Sequence, residues 1–153
     1  MRKIGRVLVV VVCCFWGLLS SNVWAATLQL HAKQVEKDTI SLEVSLDAVE
    51  KLAGIKLVME YDEKLLTYAD IVKSAATTAL LHVVNDKKPG RLIIVMAGAN
   101  GVSGKKLKIM DLQFRTKKSN DGKTAVKVTE IQLMSEDLKE IPCPVAALEV
   151  HVD

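Results

Sequence analysis

The chain has 153 residues, with 21 Lys+Arg against 18 Asp+Glu and a formal net charge of +3. The excess is confined to the start: a leader of 25 residues would carry away Arg2, Lys3 and Arg6, reducing the basic residues from 21 to 18 and leaving 128 residues in electrical balance. A balanced domain gives no electrostatic pull toward nucleic acid or an anionic membrane surface.

That leader has the anatomy of a secretory signal peptide. A basic start is followed by an apolar run over 7–19 that is too short to span a bilayer comfortably, then by Ser20, Ser21 and Asn22. Cleavage after Ala25 fits best, because Val23 supplies the small or aliphatic side chain two positions earlier, where cutting after Ala26 would place Trp24. Val11 and Val12 stand before Cys13 and Cys14 where a lipidation site needs small residues. The reading is therefore a signal peptide over 1–25 and one domain over 26–153, exported to a periplasm or beyond the cell, with no membrane span once the leader is cut.

In the mature part the dominant period is two. Leu28, Leu30 and Ala32 alternate with polar residues, and so do Ile40, Leu42, Val44 and Leu46. Ile55, Leu57, Met59 and Tyr61 follow after Gly54. Such alternation puts one face of a strand inward. From 65 to 84 the pattern reads as a strand, a short helix or loop, and a strand near 81–85. Lys87-Lys88-Pro89-Gly90 is a turn by composition. It leads into a strand over 91–97, and the glycine-rich stretch 98–104 reads as a flexible loop.

Leu107 and Ile109 then share one phase while Met110, Leu112 and Phe114 share the other, which predicts a bulge near Met110. Asn120-Asp121-Gly122 is a hairpin signal. In the strand over 124–134, Val126 and Val128 are out of phase with Ile131 and Leu133, predicting another bulge. Leu148, Val150 and Val152 point inward from a last strand. About nine short strands with little helix predict an all-β antiparallel sandwich.

Little in this chain carries chemistry. His31, His82 and His151 are scattered singly, with no Cys pair or His spacing to converge on zinc. The acidic turns lack the alternating pattern of a helix-loop-helix calcium site. Five residues rather than four separate Gly98 from Gly104, and Lys106 stands where a phosphate loop needs Ser or Thr. Asp62-Glu63 and Glu136-Asp137 are adjacent along the chain, which does not set two carboxylates across a substrate. Ser103 and Ser135 have no neighbouring His in sequence. Cys143, the one cysteine left after leader removal, has no partner for a disulfide. The reading is a non-enzymatic chain with no cofactor and no metal.

Two features point to binding instead. Residues 92–97, Leu-Ile-Ile-Val-Met-Ala, are apolar on both phases, so one phase fills the core while the other offers a greasy strip that Val58 would extend. Glycan recognition, by contrast, commonly uses exposed rings, and after the leader only Tyr61, Tyr68 and Phe114 remain. A protein partner is favoured over a polysaccharide.

The run 38–46, the turn Ala53-Gly54 leading to Tyr61-Asp62, and Leu65-Leu66 together resemble the start of cohesin domains. The stretch 91–98, Leu112-Gln113-Phe114 and the closing Ile141-Pro142 with 148–152 are similar to later cohesin strands. The likeness spans nearly all of the mature chain and rests on order and spacing. It implies a nine-stranded jelly-roll sandwich related to cellulose-binding modules, and a non-catalytic function in holding dockerin domains within extracellular polysaccharide-degrading assemblies. The related carbohydrate-binding modules supply the alternative. The binding face implied by the resemblance would include Gly54, Lys56, Val58, Asn85, Ala97 and Ala99, and the apolar strip adds Ile93 and Val95. Cohesins often place polar or acidic residues where Gly54, Lys56 and Ala99 stand, which is where this sequence departs from the pattern.

Overall fold

The computed structural model describes residues 25–117, 124–145 and 149–152. The expected leader (apart from Ala25), the Asn120-Asp121-Gly122 turn and Leu148 lie outside the described residues. The elements are β1 (Leu28–Glu36), β2 (Thr39–Tyr61), β3 (Leu66–Lys73), a 3-10 helix (Ala75–Thr77), β4 (Leu81–Asn85), β5 (Arg91–Thr116), β6 (Thr124–Ser135), β7 (Glu140–Ile141) and β8 (Glu149–Val152). All strand pairing is antiparallel.

The short strands expected from the alternation are joined into two long ones. β2 and β5 pair from Thr39↔Arg115 to Glu60↔Arg91, and each contributes to both layers of the sandwich. In one layer the order is β1-β2-β5-β3; in the other it is β4-β5-β2-β6, with β7 and β8 on the far side of β6. Strands that cross between layers need bends where they turn, and the β2/β5 register shifts between Val49 and Leu52 and again between Leu52 and Gly54.

The stretch 98–104 is therefore strand, not the flexible loop its composition suggests. Its glycines serve a close approach. A Cβ on Gly101 would stand 2.4 Å from the carbonyl carbon of Lys51, whose own φ is +54°. Only a residue without a side chain lets the two backbones meet there. The corner is pinned by the Lys51 amide donating to Ser103 Oγ (2.8 Å), the Gly101 amide donating to Glu136 Oε2 (2.8 Å), and the Glu136 amide donating to the Lys51 carbonyl (2.8 Å). The Lys51 ammonium lies 3.3 Å from both Asp137 and Glu136, which raise its pKa, Asp137 the more strongly.

Both predicted bulges are present. Val44 pairs with Met110 and Ser45 with Lys108, which leaves Ile109 as the extra residue and lets Ile109 and Met110 both be buried. Val58 pairs with Glu130 and Met59 with Val128, so Thr129 is the extra residue that reconciles the two phases of β6.

Between the layers, Leu42, Val44 and Leu46 from the first half of β2 share one core with Leu57 and Met59 from its second half, and with Ile94, Met96, Leu112 and Leu133. Each such side chain, fully buried, is worth about 1.5–3 kcal/mol. Tyr61 and Phe114 meet edge-on across the interior at 5.2 Å, and Tyr68 meets Phe114 at 6.1 Å. The 3-10 helix closes one side: Thr77 Oγ1 donates to the Ile109 carbonyl at 2.6 Å, and Leu80 is buried behind it.

Candidate functional site

The outward surface of the β4-β5-β2-β6 layer is set by register. Leu81, Ala97, Gly54 and Met134 form one row across it. Val83, Val95, Lys56 and Gln132 form the next, and Asn85, Ile93, Val58 and Glu130 the third. Seven of the eight residues read from sequence as a binding set thus lie in three adjacent rows. Ala99 continues the outward phase of β5 and is exposed.

The apolar strip is real but has a different outline from the one expected. Leu92, Ile94 and Met96 fill the core, while Val95 is 42% exposed, Ala97 is exposed and Ile93 is half-buried. Val58 stands on the outward phase, yet only 1% of it is exposed. It is ringed in register by Ile93, Glu130, Lys56 and Glu60, so it supports the patch without extending it. The larger contributions come from strands on either side: Leu81 (79% exposed) and Val83 (69%) on β4, and Met134 (39%) on β6. Leu81 and Val83 already alternate with His82 in the sequence, and that signal marks a two-phase strand; the position of β6 carries no local signal.

Lys56 is not a free cation on this surface. Its ammonium lies 2.6 Å from Glu130 Oε1, on a diagonal between neighbouring strands. Both side chains remain partly solvated, so the pair contributes at most about 1 kcal/mol to stability. Its effect on recognition is larger, since it leaves the centre of the face electrically neutral. Asn85 is exposed, and its Oδ1 accepts from the Lys87 amide at 3.2 Å, which shapes the turn after β4.

Elsewhere the described residues bring no reactive groups together. His31 and His82 are exposed on β1 and β4, and no three His, Cys, Asp or Glu cluster as a metal site would require among the described residues. A cleft of about 660 Å³ opens between Val49, Ser103, Gly104 and Pro142, with Glu50, Lys105 and Glu140 exposed on its walls. Ser103 there is occupied in accepting from the Lys51 amide, and among the described residues no imidazole lines the cleft. Cys143 is half-buried, and burial pushes its thiol pKa up, the opposite of an activated nucleophile. No helix among the described residues is long and apolar enough to cross a membrane.

Residues 26–152 match the family model for the cohesin domain. No curated protein matches the chain. Among solved structures, a non-cellulosomal cohesin from Archaeoglobus fulgidus superposes with a TM-score of 0.66 at 17% identity, covering 78% of this chain and 85% of that one. The sixth cohesin of Acetivibrio cellulolyticus scaffoldin B, solved with a variant Cel5 dockerin, gives 0.66 at 16% identity, over 83% of this chain and 99% of that one. The OlpA cohesin of Clostridium thermocellum, solved with the dockerin Doc918, gives 0.66 at 16% identity, over 84% and 98%. The chain shares the fold of these modules, and it belongs to the cohesin domain family.

Proposed function

We propose that this chain is an exported, non-catalytic binding module that captures a dockerin-type protein on the outward face of the β4-β5-β2-β6 layer. The observation that carries the reading is the exposed apolar surface made by Leu81, Val83, Val95 and Met134 around the neutral Lys56–Glu130 pair. Contiguous apolar surface of this kind marks an interaction site. Family membership supplies the partner class, since the similar cohesins of Acetivibrio cellulolyticus and Clostridium thermocellum are solved as complexes with dockerins. A partner for this face should be largely apolar at its centre, because Lys56 already has its counter-ion.

The polysaccharide alternative finds less support. Half-buried Tyr61 and Tyr68 both pack edge-on against buried Phe114, and the domain has no other Phe, Trp or Tyr after leader removal. The three rows of the outward face contain no Phe, Trp or Tyr on which a glycan would stack.

The test is a calorimetric titration of dockerin modules from the host against the parent and Val95→Asp. Val95 is solvated, so the substitution leaves the fold intact by circular dichroism while placing an unpaired charge under the partner. Binding by the parent that weakens at least about 100-fold in the variant, the cost of desolvating one unpaired charge, supports the assignment. Equal binding by both would overturn it, as would saturable binding of soluble or insoluble polysaccharide in place of any dockerin.

A further inference from the structure

We infer that two copies of this chain associate through β4, strand to strand and antiparallel, about a two-fold axis passing through Val83. β4 is hydrogen-bonded to β5 on one side only, and among the described residues no strand pairs with its other side. Alternate backbone N–H and C=O groups of an edge strand point outward unpaired, and proteins normally blunt such edges with charges, proline or bulges. The other long edges here are blunted. β1 carries Lys33 and Glu36 with a register shift between Gln34 and Glu36, and β3 carries Asp70 and Lys73 with a shift between Tyr68 and Asp70. β4, Leu-His-Val-Val-Asn, has no charge, no proline and no register shift against β5.

A second copy fits this edge because the strand complements itself. Pairing about Val83 sets Val83 against Val83, Leu81 against Asn85 and His82 against Val84, so no like charges oppose one another. Lys87 and Lys88 of each copy fall at opposite ends of the joined pair, beside Ala79 and Thr78 of the other. Leu81 and Val83, the most exposed apolar side chains of β4, lie on one face of the extended sheet and gain cover from the second copy. The contact is isologous, as closed dimers require. Five residues give a contact only about 17 Å long and one strand deep, a single edge where a stable interface buries roughly 1,000 Å². The dimer is therefore weak and forms where copies are concentrated. It leaves the Val95 and Met134 part of the outward face open and sets two such faces side by side.

The experiment is sedimentation equilibrium over a concentration series on protein purified from cells expressing the full chain, as parent, as Val83→Lys, as Val83→Glu, and as an equal mixture of the two variants. Position 83 is solvated, so each variant folds as the parent does, and partner capture is not part of the readout. The expected result is a monomer–dimer equilibrium for the parent, association weakened about tenfold or more in each variant alone as like charges meet on the axis, and dimer restored in the mixture. A parent that stays monomeric at millimolar concentration overturns the inference, as does a dimer that survives Val83→Lys or a mixture that fails to associate.

Discussion

Replacing Gly101 with Ala tests whether 98–104 is the crossover corner of the sandwich. The added methyl would sit 2.4–2.5 Å from the Lys51 carbonyl carbon, Cα and carbonyl oxygen. Carbon atoms rest about 3.5–4 Å apart, so the two backbones must separate by about 1 Å, and neither can rotate out of the way as a side chain would. That displacement breaks the hydrogen bonds holding the corner: Lys51 to Ser103, Gly101 to Glu136, and Glu136 to Lys51. At about 1 kcal/mol each the loss is about 3 kcal/mol, a large share of the ~5–15 kcal/mol that holds a domain together. For a domain of this size each kcal/mol moves Tm by about 4 °C, so Gly101→Ala should melt roughly 10 °C below the parent. Scanning calorimetry measures it, with Gly104→Ala as the control. There the new methyl meets only the end of the flexible Leu107 side chain, at 3.1 Å. If Gly101→Ala melts within a degree or two of the parent, the stretch is slack and the corner as described is wrong.

Asp47 accepts from the Thr27 amide (2.7 Å) and the Ala48 amide (2.6 Å), chiefly the former lowering its pKa below 3.8. A depressed folded pKa means stability present above the unfolded value and lost as pH falls through the folded one. The parent should therefore lose Tm below pH 4 more steeply than Asp47→Asn, as thermal melts across that range will show. Tyr68 is pushed up to about 12, by burial first and then by Asp70 and Asp86. Its neutral form is favoured in the fold, so that contribution is intact below pH 10 and disappears as pH rises toward 12; Tyr68→Phe should flatten the alkaline limb of a stability–pH curve. Mass spectrometry of the exported protein should find Ala26 as the first residue, and a retained leader would refute the proposed cleavage.

Much of the architecture is legible in the sequence because period-two alternation is a local property. The bulges at Ile109 and Thr129 could be located for the same reason, since a change of phase within a strand has few other physical causes. The continuity of β2 and β5 was not legible. Glycine-rich composition signals a loop and a close backbone approach equally well, and only the position of Lys51, fifty residues earlier in the chain, distinguishes them. The site divides along the same line. Val95 and Ala97 are outward by phase alone, whereas the burial of Val58 and the engagement of Lys56 depend on which residues of β6 lie alongside. Leu81 and Val83 join the face through the neighbouring strand across the 87–90 turn, and Met134 joins it only through pairing with Gly54, distant in sequence.

The crossing strands also bear on function. β2 and β5 form the middle of the outward face with Lys56, Ile93 and Val95, and the same two strands continue through the corner into the opposite layer. The central residues of the face are thus fixed by the whole core, from Leu57 and Ile94 to Leu112, while its flanks rest on β4 and β6, each paired to only one of the two long strands. A partner pressing on the centre meets a surface that cannot yield without disturbing both layers, so little ordering cost falls on the module when it binds. Adaptation to different partners should accordingly appear at Leu81, Val83, Gln132 and Met134, where a changed side chain alters the face without disturbing the crossover that holds it.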